Sequence, residues 1–475
     1  MRRSAIRIIC FLLLLVCVLA SVNQVVKLKD SAGGIYNVTL FYEQEDDSID
    51  VLILGSSHAY EDFNTGVLWE EYGMASYVLG GPHQPIWNTY YYLKEALKTQ
   101  KPELIVLEAY MTTSWEEYET IGAIENTYGL KWSPDRIEAV MVSTPREQWR
   151  DFLPEFVQYH SRYKELSAAD FLKYNGYPPD INWKGFVDNM IITEMENPDV
   201  SEVKKRSDLH EKTEKYYRMI LELAQKNDIP IIVMASPYAG VNEKEQARLN
   251  RAQDIAEEYG IEFINYNSCY RELGIDFTTD VADGHHLNFN GNRKFSSAVG
   301  KYLVEHYEIS DRRGDGRYQS WQDRADYIRA NRRDQELREA ADREEFLEKA
   351  QNEDYLFFIS ARKCDVKDEN VHEILNTFGI SYNGTNEVWQ TGSDGVEWMS
   401  GEQEAERYRR IDQHDVILRK IWDQKEEEYV NEIIIDATHY QIVRRGVNVI
   451  VYSTATQKVV DSVGFDANED YKLVR

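Results

Sequence analysis

Val51-Leu52-Ile53-Leu54-Gly55-Ser56-Ser57-His58 decides the reading of this chain. Four aliphatic, β-prone residues run into a glycine, and two serines and a histidine follow at once. Such a run, followed by an amphipathic segment over residues 63–72, predicts a buried parallel strand that feeds a tight turn and then a helix. In an open α/β sheet, reactive groups gather beyond the carboxyl ends of the strands, where the strand order reverses. A hydroxyl there also lies near a helix N-terminus, which favours developing negative charge. Ser57 is therefore the candidate nucleophile. Gly-Ser-Ser turns are common, so the reading needs a partner near the other end of the domain.

Outward from this stretch the chain alternates strand and helix. Ala75-Ser76-Tyr77-Val78-Leu79 ends in Gly80-Gly81-Pro82, Pro85 opens a helix to residue 99, and residues 103–108 form a third strand. After an interruption, the pattern resumes with a helix (211–227), a strand (229–235), a helix (243–259) and a strand (261–264). Asp283-Gly284-His285-His286-Leu287-Asn288 follows, and a helix over 290–307 closes the domain. Short loops between alternating elements predict a doubly wound parallel sheet, a flavodoxin-like three-layer α/β sandwich. The interruption, residues 111–206, is too long for a plain loop and is expected to form a helical cap over the crevice. Residues 27–49 read as a polar lead-in with an edge strand around 36–41.

Acidic side chains outnumber basic ones 82 to 54, a formal charge of −28. Nucleic acid phosphates call for a basic face, so no nucleic acid partner is expected. Arg2, Arg3 and Arg7 precede an uncharged, apolar stretch over residues 8–26. As a helix it would reach about 29 Å, close to the ~30 Å hydrocarbon core of a bilayer. The arginines would stay cytoplasmic, leaving the rest of the chain extracytoplasmic on a single-pass anchor in the cell membrane. A cleaved signal peptide is the alternative, since Val18-Leu19-Ala20 resembles a small-residue cleavage site; the uncleaved anchor is favoured.

The expected organisation is an anchor (1–27), an α/β domain (28–312), a charged and mostly solvated connector helix (313–354) and a small α+β domain (355–475). The last is marked by a hairpin from Val447-Asn448-Val449-Ile450-Val451-Tyr452 through a turn to Val459-Val460. Cys269 and Cys364, the cysteines outside the apolar segment, read as separate thiols.

Asp283 and His286 stand three residues apart in a glycine-containing turn before a helix. That spacing can set a carboxylate beside Nδ1 of the imidazole while Nε2 points at a hydroxyl, the arrangement that activates a serine nucleophile. A helix cap and a solvated turn histidine are the ordinary alternatives. His58, Asp283, His285 and His286 could converge but show no metal-ligand spacing such as His-Glu-x-x-His, so neither a metal nor a cofactor is expected.

Gly55-Ser56-Ser57-His58 after the first strand, and Asp283-x-x-His286 before the last helix, resemble the SGNH/GDSL hydrolase superfamily over residues 48–307. His286-Leu287-Asn288 with Gly291 is similar to its membrane-anchored branch, related to alginate O-acetyltransferases and DltD-type proteins. The resemblance implies Ser57 as nucleophile, His286 as base, Asp283 as its orienter, and an acylated glycan or other ester as substrate. It also implies an oxyanion hole from the backbone N–H groups of Ser57 and Gly80, with Gly81 as an alternate. The family's third donor, an asparagine after the third strand, is replaced here by Leu107-Glu108-Ala109-Tyr110; Gln84 or His83 would have to stand in. His58, His83, His160 and Arg162 are candidates for the substrate pocket, Arg162 through a carboxylate or phosphate on the substrate. Gly446-Val447-Asn448-Val449-Ile450-Val451-Tyr452 and Asp461-Ser462-Val463-Gly464-Phe465-Asp466 resemble the ILEI-type module attached to some carbohydrate-active enzymes. This implies a glycan-binding module. The runner-up reading is a catalytically inactive surface or scaffold protein of the same fold, involved in cell-envelope polysaccharide assembly.

Overall fold

The apolar runs become a five-stranded parallel sheet in a computed structural model that describes residues 2–29, 34–119, 122–172, 182–384 and 386–475. Its strands are β1 (Val51–Gly55), β2 (Ser76–Gly80), β3 (Leu104–Glu108), β4 (Ile231–Ala235) and β5 (Phe263–Asn265), in the order β2-β1-β3-β4-β5. This is a doubly wound order, and its switch point lies between β1 and β3, beyond whose ends a crevice must open. Every residue of β1 to β4 is buried, because helices cover both faces.

Alternation along β1 assigns the two faces. Leu52 and Leu54 pack with Trp87 of α5 (Ile86–Ala96), Tyr217 and Ile220 of α9 (Glu211–Lys226) and Leu249 of α10 (Glu243–Glu258). Val51 and Ile53 pack with Ala59 of α3 (Ser57–Asp62), Leu68 of α4 (Thr65–Tyr72) and Phe295 and Val299 of α11 (Phe289–His306).

Three expectations are corrected. Residues 36–41 are not an edge strand but lie in a helix, α2 (Gly34–Phe41). The open edge of β2 explains why: Asn37 of α2 donates its amide to the carbonyls of Val78 and Gly80 at 3.0 Å each, and Val78 N–H donates to Lys184 at 3.0 Å. An edge satisfied in this way cannot recruit another strand. Second, the helices of the insertion are α6 (Pro134–Ser143), α7 (Trp149–Phe152) and α8 (Glu155–Tyr159), and they contact α5, one another and α1 (Arg2–Val26) rather than roofing the crevice. The part that borders the crevice is extended: Val187 N–H donates to Tyr60 (2.8 Å), and Thr193 N–H to Val281 (2.9 Å). Third, the connector is not merely solvated. The chain divides into units at Ala325/Asp326, within α12 (Gln319–Arg338). Trp321 is buried in the first unit's core, and Leu337, Phe346 and Leu347 in the second's.

The second unit is α+β with two antiparallel sheets. One runs β15-β14-β13-β6-β7-β8, with β6 Tyr355–Arg362, β7 Glu387–Gly392, β8 Gly395–Met399, β13 Gly446–Ser453, β14 Lys458–Asp466 and β15 Lys472–Val474. The other runs β12-β11-β10-β9, with β9 Ala405–Ile411, β10 His414–Asp423, β11 Glu428–Ile435 and β12 Thr438–His439. The expected hairpin is β13 with β14, paired from Gly446↔Asp466 to Ser453↔Lys458. Cys269 and Cys364 are both free thiols.

Candidate active site

Ser57 is the first residue of α3, set there by the turn that leaves β1 at Gly55. Gly55 cannot carry a side chain, because a Cβ would lie 2.8 Å from both Ala59 Cβ and Glu108 Cβ. Near the other end of the domain's sequence, Asp283 folds the turn that carries His286: its Oδ1 accepts the N–H groups of His285 (2.7 Å) and His286 (3.0 Å). Asn288 holds the next segment. Its side chain caps α11 by accepting from Asn290 and Gly291, and donates to the carbonyls of Thr279 (2.9 Å) and Val281 (3.1 Å). Gly291 must be glycine, since a Cβ would fall 2.1 Å from the Asp280 carbonyl.

These two turns meet. Ser57 Oγ lies 2.8 Å from His286 Nε2, and His286 Nδ1 lies 3.0 and 3.1 Å from the Asp283 carboxylate oxygens. With Nδ1–H donated to Asp283, Nε2 is left to accept the Ser57 hydroxyl proton. Burial opposes the charge on Asp283, but the hydrogen bonds from His286 and from His285 N–H outweigh it and hold its carboxyl below the usual range. An imidazolium formed at His286 would thus face a carboxylate already ionised. Such a line of hydroxyl, imidazole and carboxylate can pass a proton away from oxygen as it attacks an electrophile.

Side chains that the sequence did not single out join the two turns. Asp62, on the same helix as Ser57, accepts the N–H of Leu287, the residue after His286, at 2.9 Å. Ser296 Oγ accepts from Asn64 N–H (2.7 Å), and Asn64 Nδ2 donates to Asn292 (3.0 Å), fixing α4 to α11. Glu61 stands 4.0 Å from His286 Nε2 and accepts from Asn189 Nδ2 at 3.0 Å; burial raises its carboxyl against the pull of His286. Only the placement of these residues beside Ser57 on a short helix could have marked them, and acidic residues on helices are too common to be a signal.

Several proposed pocket and oxyanion residues lie elsewhere. His58 does not line a pocket: it is 1% exposed, stacked on Tyr110 at 3.8 Å between centroids, and meets the edge of Tyr238. Burial, reinforced by His286 and His285, pushes its imidazole far down, while burial pushes Asp62 far up against the Leu287 N–H. Both shifts disfavour an ion pair across the 3.8 Å between them. Gln84 is fully buried and donates one amide N–H to Thr89 Oγ1 at 3.0 Å. His83 is exposed, on a turn with φ 45°. Gly81 is glycine for packing, because a Cβ would meet Asn126 Oδ1 at 2.2 Å and Gly34 Cα at 2.9 Å. Gly80 does border the site: a Cβ would lie 2.4 Å from the Gly55 carbonyl. His160 is exposed and donates to the Val157 carbonyl, and Arg162 binds the carbonyls of Val26 and Lys27, at the end of α1.

A cavity of about 590 Å³ opens beside this constellation. Tyr36, Tyr60, Glu61, Gly80, Glu125 and Trp183 line it, and Glu61 is the side chain shared between cavity and imidazole. At the end of β3, Glu108 is buried and accepts the Tyr110 N–H at 2.9 Å; burial outweighs that bond and pushes its carboxyl up to about 8. Glu108 is thus a neutral acid near pH 7. Among the described residues no group of three or more His, Cys, Asp or Glu side chains is arranged to hold a metal ion. No family model, curated protein or solved structure matches the chain.

Proposed function

We propose that the chain is a membrane-anchored, extracytoplasmic serine esterase or O-acyltransferase of the SGNH/GDSL type, acting on acyl groups of cell-surface glycans. The observation that carries this reading is the 2.8 Å contact between Ser57 Oγ and His286 Nε2, with Asp283 on the other ring nitrogen. His286 takes the hydroxyl proton as Ser57 Oγ attacks the acyl carbonyl, and Asp283 holds the ring in the required tautomer. The Ser57 N–H, at the start of α3, and the backbone at Gly80 face the developing oxyanion. His286 then returns the proton to the leaving alcohol, and an acyl-enzyme remains on Ser57. Water or a sugar hydroxyl, deprotonated by His286, collects the acyl group. The cavity lined by Tyr36, Tyr60 and Trp183 offers aromatic faces to a sugar ring beside the reacting centre. The apolar helix α1 is long enough to span a bilayer, and Arg7 at its start supports a cytoplasmic N-terminus. The ILEI-type resemblance of the second unit fits a glycan partner.

Glu108 favours a second reading. It stands where the resemblance calls for an asparagine donor, and losing one donor costs about 10²–10³ in rate, so the same fold would also suit a non-catalytic scaffold in envelope polysaccharide assembly. A fluorophosphonate probe separates the two. The wild-type full chain is expected to be labelled and Ser57→Ala not; an unlabelled wild type would favour the scaffold.

A further inference from the structure

The last helix of the insertion and the turns after it lie against α1, and large apolar side chains of the insertion stay exposed beside charged ones. Trp132, Phe156, Tyr163, Phe171 and Leu172 are 65, 37, 64, 69 and 53% exposed. Single exposed apolar residues are ordinary on any protein surface, but these five gather around the exit of one helix. The α8 helix and the turns at His160–Lys164 and Ala168–Phe171 all contact α1. Asn23 donates to Glu155 at 2.9 Å, Arg162 donates to the carbonyls of Val26 (2.6 Å) and Lys27 (3.0 Å), and Lys29 donates to the Asp170 carbonyl. Between α1 and this collar runs a groove of about 900 Å³, with Val16 and Leu19 on one wall and Trp132, Leu153 and Phe156 on the other.

Helix geometry sets the depth of that groove. The apolar stretch of α1, Ala5–Val26, has 22 residues and is exposed as far as Val22. It reaches about 33 Å, and a hydrocarbon core is about 30 Å thick, so a bilayer that holds the stretch extends nearly to Val26. Val16 lies about 15 Å back along the axis from Val26. The groove that Val16 lines therefore begins inside the bilayer boundary, and Trp132, Leu153 and Phe156 share it. There, backbone carbonyls need internal donors, and Arg162 and Lys29 supply them at the helix exit. Aromatic side chains are favoured at that depth.

We infer that the collar of Trp132, Phe156, Tyr163, Phe171 and Leu172 is embedded in the domain-side leaflet of the membrane that α1 spans, and that lipid acyl chains fill the groove. The inference rests on α1 remaining attached, and it is independent of the chemistry at Ser57. Residues 131–172 carry six basic and seven acidic side chains. The attraction is therefore apolar, and zwitterionic lipid suffices.

The test uses the full chain in phosphatidylcholine bilayers. A fluorescent amino acid is encoded in place of Phe156 or Phe171, with Glu257 as the control. Lipids brominated on their acyl chains are expected to quench the probe at 156 and 171 several-fold more than at 257, and aqueous iodide to show the opposite order. Iodide quenching at 156 and 171 equal to that at 257 would overturn the inference. So would protection from both quenchers, which would mean a covering protein, either a partner or a second copy. An intact mass showing loss of residues 1–26 would overturn it as well.

Discussion

The parallel sheet of the first unit and the four-stranded antiparallel sheet of the second bury their strands in different ways. In the first, β1 to β4 are buried at every position, whereas β9 alternates between partly buried and exposed residues and the middle of β10 between buried and partly buried ones. A parallel sheet covered on both faces has no lateral surface for polar groups, so its reactive side chains are confined to the strand ends. Ser57, Glu108 and the His286 turn stand at such ends. An antiparallel sheet with a solvated face spreads its polar side chains along the strands: Arg419 pairs with Glu432 (2.6 Å) across neighbouring strands and with Glu406 (3.8 Å), contacts that hold a sheet together and converge on no cavity. One architecture concentrates chemistry at a rim; the other distributes it as surface.

The largest effect that tests this contrast is at the rim. Ser57→Ala and His286→Ala are each expected to lower ester turnover by about 10³-fold or more while the circular dichroism of the chain stays unchanged. Equal turnover in either variant would remove that residue from the mechanism. In the second unit, Trp389→Ala empties a fully buried site in the core of β6, β7 and β13. It should cost that unit about 3–5 kcal/mol in denaturant unfolding, with turnover per folded molecule unchanged. Lost turnover in the folded protein would break the separation.

The tie between the two turns predicts a smaller effect. Asp62→Ala removes the acceptor for Leu287 N–H and should cost about 1–3 kcal/mol. Asp62→Asn keeps an acceptor at a site where burial disfavours the charge, so it should lie closer to wild type; equal losses from both variants would show that the charge matters. Glu108 is read as a slope against pH. Its carboxyl, buried at about 8 when folded, has an ordinary value of 4.5. Below 4.5 both states hold the proton and the residue has no effect. Between 4.5 and 8 the unfolded chain ionises first, so stability falls as pH rises, by up to about 1.4 kcal/mol per pH unit. Glu108→Gln should flatten that slope in chemical melts taken from pH 5 to 8, and an unchanged slope would mean that Glu108 is not a buried neutral acid. Asp283 works in the other sense: its contribution is present above the ordinary carboxylate range and is lost as pH falls through its depressed value.

The same contrast explains what could be read in advance. A strand buried on both faces writes an unbroken apolar run, so β1, β3 and β4 stand out, and the glycine and serines that follow mark the rim. The strands β9 to β11 write charged, alternating sequence such as Ala405-Glu406-Arg407-Tyr408-Arg409-Arg410-Ile411 and pass unnoticed. The α2 segment reads as a strand because Val38, Leu40 and Phe41 are apolar at short spacing; what makes it a helix is the edge of β2, which local sequence does not contain. Ser57, His286 and Asp283 were legible as turn motifs, whereas Glu61, Asp62 and Asn189 carry no motif and acquire meaning only where the two turns meet. Arg162 was misassigned for the reverse reason, since a cation suited to an anionic substrate is equally suited to the carbonyls at a helix end.

The central claim is that Ser57 Oγ carries the acyl group. Rapid acid quenching of the wild-type chain with an activated acetyl ester, followed by peptide mapping, tests it most directly. The account predicts one acetyl group on the peptide that contains Ser57, absent in Ser57→Ala and strongly reduced in His286→Ala. Acetyl on a different residue, or acetate release by Ser57→Ala at the wild-type rate, would contradict it.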